Sequence, residues 1–286
     1  MSRKCNIFFF VLVAFSLRSQ IPDTEIWLYK IEKQKTGLVL TSPKNISKRA
    51  GYDNQPSFSN DGKKIYYVSI REDKQADFYC YDIGSERTIQ ITKTKESEYS
   101  PVITPDEKYL NAVVVESDSA QRIHFINAKT GVSEKKIETD SVGYYTFLNT
   151  DTVLYYKLTN PHSLRYYVGS TGEDKWLGNN PTRAFKTINR HAFIYGVKDS
   201  TKVTFYKYDF TLQKAEKFAD YPSVSEDAIW HNQFGLIKSE ANKLLCYDEI
   251  KKEWILLFDL SAFGIKKITR FSFDAKNKYL VIVDNL

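Results

Sequence analysis

Short apolar runs, each bounded by polar turn residues, recur along the chain at a nearly constant spacing. With Phe58 as a landmark, an equivalent apolar residue returns at Ile103, Phe147, Phe185, Ile229 and Phe273, at intervals of 45, 44, 38, 44 and 44. The Phe185 alignment requires a slipped position in its unit. A strand-like run follows each landmark: "KIYYVS", "YLNAVVV", "VLYYKL", "AFIYGV", "FGLIKS" and "YLVIV". Such runs, rich in aromatic and β-branched residues, read as strands. A third run follows in five units ("FYCYD", "IHFIN", "LRYYV", "TFYKYD", "LLCYD"), and a fourth closes each of them ("TIQIT", "EKKIE", "DKWLG", "AEKFA", "WILLF").

Four short strands per unit of about 44 residues is the signature of a β-propeller blade. The last unit stops at Leu286 after two strands, while "EIWLYKI" and "GLVLTSPKNIS" stand unpaired before the first landmark. Ile46 and Lys48 lie 45 positions before Ile91 and Lys93, so the second of these runs aligns with the end of a unit. The predicted fold is therefore all-β: a six-bladed β-propeller of four-stranded antiparallel blades. The amino-terminal pair of strands completes the carboxy-terminal blade, a junction that leaves no open sheet edge. The blade cores fall near 51–94, 95–139, 140–180, 181–222, 223–264, and 265–286 plus 24–48. They occupy all of 20–286 as a single domain and leave no room for a second.

Composition agrees with this reading. The chain has 286 residues, 42% hydrophobic and 15% aromatic, with a single Met, which disfavours a helical bundle. Residues 1–19 read as an export signal: Arg3 and Lys4 precede the apolar run Ile7 to Leu17, with a cut after Ser19. That run is too short for a bilayer span, which needs about 20 residues. Its removal takes three basic residues and no acid, so the formal charge falls from +6 to +3. No block of five like charges occurs, which excludes a nucleic-acid face. Cys80 and Cys246 occupy the same slot of different units, too far apart for a disulfide, and are expected as free buried thiols.

Most residues with chemical potential have a plainer role. Tyr81-Asp82, Tyr208-Asp209 and Tyr247-Asp248 close third strands, with Asn127 in the Asp slot of another; these side chains read as turn-setters. The repeated aromatics read as packing between blades. His124, His162, His191 and His231 fall in four different units at four different slots, so no metal site is expected from them. "GSTG" lacks the Gly-x-Ser-x-Gly elbow, and no phosphate or calcium loop is present. The expectation is no cofactor, no metal and no catalytic residue.

Loops entering the first strands crowd one mouth of a propeller channel, and loops between second and third strands ring the same face. The entering loops here carry Tyr52, Asp53, Asn54, Glu98, Tyr99, Tyr144, Tyr145, Arg183, Glu226, Asp227 and Arg270. The outer loops add Arg71, Glu72, Asp73, Glu116 and Asp118. Loops on rigid scaffolds are where binding groups gather, and aromatic and Arg side chains dominate interface hot spots. This face is the predicted partner-binding surface.

"PSFSNDGKKIYYVSIREDKQADFYCYD", followed by "IQIT", resembles the repeats of the TolB-like family of WD-type propellers, with Asn60 in place of the second proline. "PVITPDEKYL" restores Pro105 and has Glu107 in place of the glycine. Good motif coverage extends over about 90 residues; later units keep the strand skeleton alone. The resemblance implies an exported propeller, periplasmic or secreted, that works by binding. TolB-like proteins of the full type carry an additional amino-terminal α/β domain, which is not expected here, and propellers preceding peptidase domains supply no catalytic half to this chain. The leading expectation is a non-enzymatic scaffold binding a protein or cell-envelope component, with no nucleic acid and no membrane span after signal removal. The alternative is a propeller-type lyase or glycosidase acting on polysaccharide, using Asp53, Glu98 or Glu226 with Arg183. It would need two carboxylates about 5–10 Å apart at the channel mouth. A cation or small ligand in the channel is a third option.

Overall fold

The computed structural model describes residues 22–35, 37–223 and 225–286, so the predicted export signal lies outside the described residues. Two strands open the described chain, β1 (Thr24–Gln34) and β2 (Gly37–Asn45). Next come β3 (Tyr52–Phe58), β4 (Lys64–Ile70), β5 (Ala76–Asp82) and β6 (Arg87–Gln90). A second set is β7 (Ser97–Ile103), β8 (Tyr109–Val115), β9 (Gln121–Asn127) and β10 (Ser133–Lys136). A third is β11 (Val142–Phe147), β12 (Thr152–Lys157), β13 (Ser163–Val168) and β14 (Glu173–Asn179). A fourth is β15 (Pro181–Asn189), β16 (Ala192–Lys198), β17 (Val203–Asp209) and β18 (Lys214–Tyr221). A fifth is β19 (Ala228–His231), β20 (Gly235–Glu240), β21 (Lys243–Asp248) and β22 (Glu253–Asp259). A 3₁₀ turn at Ser261–Phe263 leads to β23 (Ile268–Phe273) and β24 (Tyr279–Asn285).

All the strand runs read from the sequence are strands. The sets β7–β10, β11–β14, β15–β18 and β19–β22 are separate four-stranded antiparallel sheets, and the remaining strands form one eight-stranded sheet. That larger sheet consists of two four-stranded halves, β3–β6 and β23-β24-β1-β2, joined by the single parallel bridge Thr24–Tyr52. Both ends of the described chain thus share one sheet. β1 runs antiparallel to β24 from Thr24–Asn285 to Lys30–Tyr279, with Trp27 opposite Ile282.

Buried apolar side chains collect between successive sheets. Tyr66, Val68 and Phe78 meet Leu110, Ala112 and Val114 across the first junction. Val113 and Ile123 meet Val153 and Tyr155 across the next, and Leu154 and Tyr156 meet Phe193 and Tyr195 across the third. Phe205 and Tyr221 meet Leu236, and Ile237 and Leu244 meet Leu280 and Ile282. A further cluster sets Ile26, Leu28, Val281 and Val283 against Ile65, Tyr67, Tyr79 and Tyr81. Both faces of each sheet are therefore apolar, which explains why the second and third strands read as continuous hydrophobic runs rather than alternating ones. The recurrent tyrosines sit within these junctions.

Turn chemistry follows the sequence. The Oδ1 atoms of Asp209 and Asp248 each accept two backbone N–H groups of the following turn, Asn127 Oδ1 does the same, and Asp82 Oδ1 accepts Ser85 N–H. In the first landmark turn Gly62 has φ +74°, and its N–H donates to Ser59 C=O. Glu107 takes the same place in the second copy with φ +56°, and Asn277 in the last with φ +55°. The fourth unit departs from the predicted alignment, and the fifth departs by one residue, since Trp230 rather than Ile229 stands opposite Leu236. Phe185 pairs with Tyr195 in mid-strand, whereas Thr187 stands opposite Phe193 as Phe58 stands opposite Ile65. Extra residues in β15 cause the slip. Cys80 and Cys246 are free thiols in third strands; Cys80 is buried, but Cys246 is only half-buried, a correction to the expected burial of both.

Two predictions follow from the packing and the turns. Ile26→Ala removes a fully buried side chain from the cluster at the chain ends; urea unfolding is expected to show a loss of about 2–5 kcal/mol. A loss below about 1 kcal/mol would mean that β1 is not packed there. Glu107→Gly relieves a left-handed backbone and is expected to raise stability by about 0.5–1 kcal/mol, whereas Gly62→Ala, whose new Cβ would lie 3.0 Å from Asp274 Oδ2, lowers it.

Candidate functional site

The site is built from the first strand of each set. Five of these six strands carry extra residues near the entrance: between Asn54 and Ser57, Tyr99 and Val102, Val142 and Tyr144, Pro181 and Phe185, and Ile268 and Arg270. A bulge re-aims the side chains beside it. Gln55 and Ser100 take the required positive φ, 55° and 58°.

Residues one repeat apart touch across the bulged strands. Ser100 N–H donates to Gln55 Oε1 at 2.7 Å, and Tyr145 Oη donates to Ser100 C=O at 2.8 Å, each across 45 positions. Arg183 donates to Asp227 Oδ1 from Nε at 3.0 Å and from Nη2 at 2.6 Å, across 44 positions. Arg270 Nη1 donates to the same oxygen at 2.8 Å, across 43. Equivalent slots of neighbouring sheets therefore face one another.

At the centre is Asp227, on the segment entering β19, whose Oδ1 accepts from two guanidinium groups. Arg270 Nη2 also approaches Tyr144 Oη at 3.5 Å. Tyr52 completes the group: burial pushes its hydroxyl up to about 12, while the charges of Arg270 and Arg183 pull the other way, and Tyr144 and Tyr99 lie close enough to act on it. Tyr52, Tyr99, Tyr144, Arg183, Asp227 and Arg270 thus converge, one from each set of strands, and all are half-buried. A cleft of about 560 Å³ opens beside them, lined by Arg183, Glu226, Asp227, Glu240 and Lys267.

Four predicted residues are not on this surface, which corrects the expectation for them. Asp53 is fully buried, with Oδ2 2.9 Å from Arg49 Nη1, and its backbone exchanges hydrogen bonds with the Thr24 hydroxyl. Burial raises its pKa despite Arg49. Glu98 is 2% exposed, and its carboxyl accepts from the hydroxyls of Thr92, at 3.0 Å, and Thr94. Asn54 is buried, with Oδ1 accepting Gln55 N–H, and Tyr145 is buried between sheets. For Asp53, Glu98 and Tyr145 the physical reason is parity: successive residues of a strand face opposite sides, and their neighbours Tyr52, Tyr99 and Tyr144 take the other side. Glu98 therefore points into the junction with β3–β6, and its neighbour Tyr99 reaches the mouth.

The other predicted residues are dispersed. Arg71 stacks on Tyr79, its guanidinium carbon 3.9 Å from the ring centre, and Glu226 pairs with Lys198. Glu116 draws in Arg122, His124 and Lys136 within its own sheet. Asp73 and Asp118 cap turns, and Glu72 is exposed. The histidines remain apart: His124 against Glu116 and Ser133, His162 against Tyr156, His191 beside Arg190, His231 against Asn277. Among the described residues no group of three or more His, Cys, Asp or Glu has a geometry that could hold a metal.

Two buried titratable residues, Asp77 and Lys238, and one solvent-accessible lysine, Lys186, were not singled out from the sequence. Asp77 adjoins Glu98 through Thr92. Lys238, 1% exposed and with no hydrogen-bond partner for Nζ among the described residues, lies over the Tyr221 ring; burial lowers its pKa to about 7. Lys186 on β15 is solvent-accessible, yet desolvation alone lowers its pKa, as expected of a side chain enclosed by protein on several sides. Only the pairing of Lys186 with Ile194 sets it in line with Ser57 and Val102, because the repeat length itself leads to neighbouring positions.

No family model matches the chain, and no curated protein matches it in sequence. Solved structures do. A putative TolB from Agrobacterium tumefaciens superposes with a TM-score of 0.63 at 11% identity, covering 93% of this chain and 99% of that one. A chain of a nidogen/laminin complex gives 0.61 at 8% identity, covering 91% and 98%. An oligogalacturonate lyase in complex with manganese gives 0.55 at 13% identity, covering 87% and 82%. At these identities the likeness shows the fold alone, a β-propeller of the TolB-like kind.

The Glu98–Asp77 pair makes stability depend on pH. Burial, followed by the nearby Asp77, holds the Glu98 pKa at about 7 against an ordinary 4.5, even though the Thr94 and Thr92 hydroxyls favour the ionised form. The folded protein therefore keeps a proton that the unfolded chain releases. Stability falls as pH rises from about 4.5 to 7, by on the order of 3 kcal/mol. Glu98→Gln is expected to flatten that slope in urea unfolding and to be the more stable protein at pH 8. An unchanged slope would remove Glu98 as its source.

Proposed function

We propose that the chain is a closed six-bladed β-propeller and that it acts as a non-enzymatic binding scaffold, taking a protein or cell-envelope component at one mouth of its channel. Three features support the closed ring: six four-stranded sets, apolar clusters at each successive junction, and the pairing of β1 with β24. The observation that carries the binding reading is the convergence of Tyr52, Tyr99, Tyr144, Arg183, Asp227 and Arg270 from six different strand sets. Rigid strands hold aromatic and Arg side chains there, the residue types that dominate binding hot spots. The Arg183–Asp227–Arg270 bonds also preorganise them, which lowers the cost of ordering on association.

The reading as a polysaccharide lyase or glycosidase loses two of its three named carboxylates and keeps Glu226 only as an ion-paired one. Asp53 and Glu98 are enclosed between sheets, and Glu226 is paired with Lys198. The amino-terminal signal pattern supports an exported location, in the periplasm or outside the cell. No helix of the described residues is long and apolar enough to cross a membrane.

The double variant Tyr99→Phe/Arg270→Gln tests the mouth; Phe keeps the ring that packs against the clusters of the first two junctions and removes the hydroxyl. The variant leaves Asp227 paired with Arg183, so its melting temperature is expected to stay close to that of the parent. Capture of a partner from envelope extract is expected to fall at least roughly tenfold. Undiminished capture would remove this face from the binding reading, and turnover of any member of a polysaccharide panel would restore the enzymatic one.

A further inference from the structure

We propose that the channel mouth binds a small multivalent oxyanion, carboxylate or phosphate, held between the Arg183–Arg270 pair and Lys186. The inference rests on the binding reading above and specifies the chemistry of what enters.

Hydrogen-bond donors predominate at the mouth. Its six side chains include two guanidinium groups, three tyrosine hydroxyls and a single carboxylate. Asp227 Oδ1 takes Nε and Nη2 of Arg183 and Nη1 of Arg270. A guanidinium has five N–H donors. Arg183 Nη2 has one further contact, Thr269 C=O at 3.5 Å, and Arg270 Nη1 donates to the same carbonyl at 2.8 Å. Among the described residues Nε of Arg270 has no partner, its Nη2 has only the long approach to Tyr144, and the same Tyr144 hydroxyl acts on Arg183. One carboxylate offsets two arginines, which leaves a net positive charge with unspent donors.

The next layer inward adds a second charge. Ser57, Val102, Thr146, Lys186, Ile229 and Ser272 hold corresponding registers in the six first strands. Lys186 is the one ionisable residue among them, and it forms no ion pair or hydrogen bond through Nζ among the described residues. Its pKa is lowered by desolvation with no carboxylate acting to restore it. A cation so placed lacks a counter-charge and would be stabilised by an anion brought to it. Three residues along β15 separate it from Arg183, a span of about 10 Å or less. A compact anion with charges at both ends would reach both.

The purified protein is titrated calorimetrically with citrate and, separately, with inorganic triphosphate, each against sodium chloride of equal ionic strength. Tighter binding of citrate assigns a carboxylate ligand, and tighter binding of triphosphate a phosphate one. Lys186→Met is expected to weaken the favoured anion roughly tenfold or more. Without anion it is expected to melt close to the parent, because Lys186 is solvent-accessible and its Nζ makes no ion pair or hydrogen bond among the described residues. Arg270→Gln should weaken the same anion, and Lys44→Gln, on the outer surface, should not. Binding no stronger than that of chloride, or Lys186→Met binding as tightly as the parent, would overturn the proposal. Lys186 is not part of the mouth cluster, so Lys186→Met still capturing the envelope partner would leave the scaffold reading standing while the anion fails.

Discussion

The pairing of β1 with β24 is the constraint on which the rest of the structure depends. Seven residue pairs bring both ends of the described chain into one sheet, so that Ile26 and Leu28 lie beside Val281 and Val283 against Ile65 and Tyr67. Without it the half formed by β23 and β24 would be two strands short, with an apolar face and an unpaired edge in water. With it, each sheet has an apolar neighbour on both sides. In the proposed ring that arrangement fixes the distance from every first strand to the axis, and therefore what can meet in the channel.

That geometry explains how side chains 43 to 45 positions apart come to share hydrogen bonds. Such separations would be unremarkable in a single sheet only by accident. Here they equal the repeat length, because packing of adjacent sheets brings residues in the same slot side by side. Asp227 can join Arg183 and Arg270 because its own set lies between theirs. The preorganised mouth is thus a consequence of the packing between sheets and needs no flexible loop to assemble it.

Buried polar groups mark where this regularity was modified. Asp53 and Glu98 sit in equivalent slots and both face the preceding junction, one balanced by Arg49 and the other by two threonine hydroxyls. Burying a carboxylate is costly unless it is paired or protonated. The two sites take different solutions, a cation for Asp53 and a retained proton for Glu98. Two lysines have neither solution within the described residues: Lys238, buried over the Tyr221 ring, and Lys186, which stays solvent-accessible.

The sequence by itself determined the strands, their grouping by four and the joining of the chain's ends, because these follow from local periodicity and from turn residues such as Asp209 and Asp248. It also marked the mouth, since Arg183, Asp227 and Arg270 lie near the starts of first strands. Only the tertiary structure decided which side chain at each entrance reaches the channel. Alternation requires neighbours such as Glu98 and Tyr99 to point opposite ways, but one extra residue in a bulge reverses the assignment, and no single strand reveals where that residue is inserted. Lys186 was hidden for the same reason, since the additional residues in β15 displaced it from the repeat until pairing with β16 established its register.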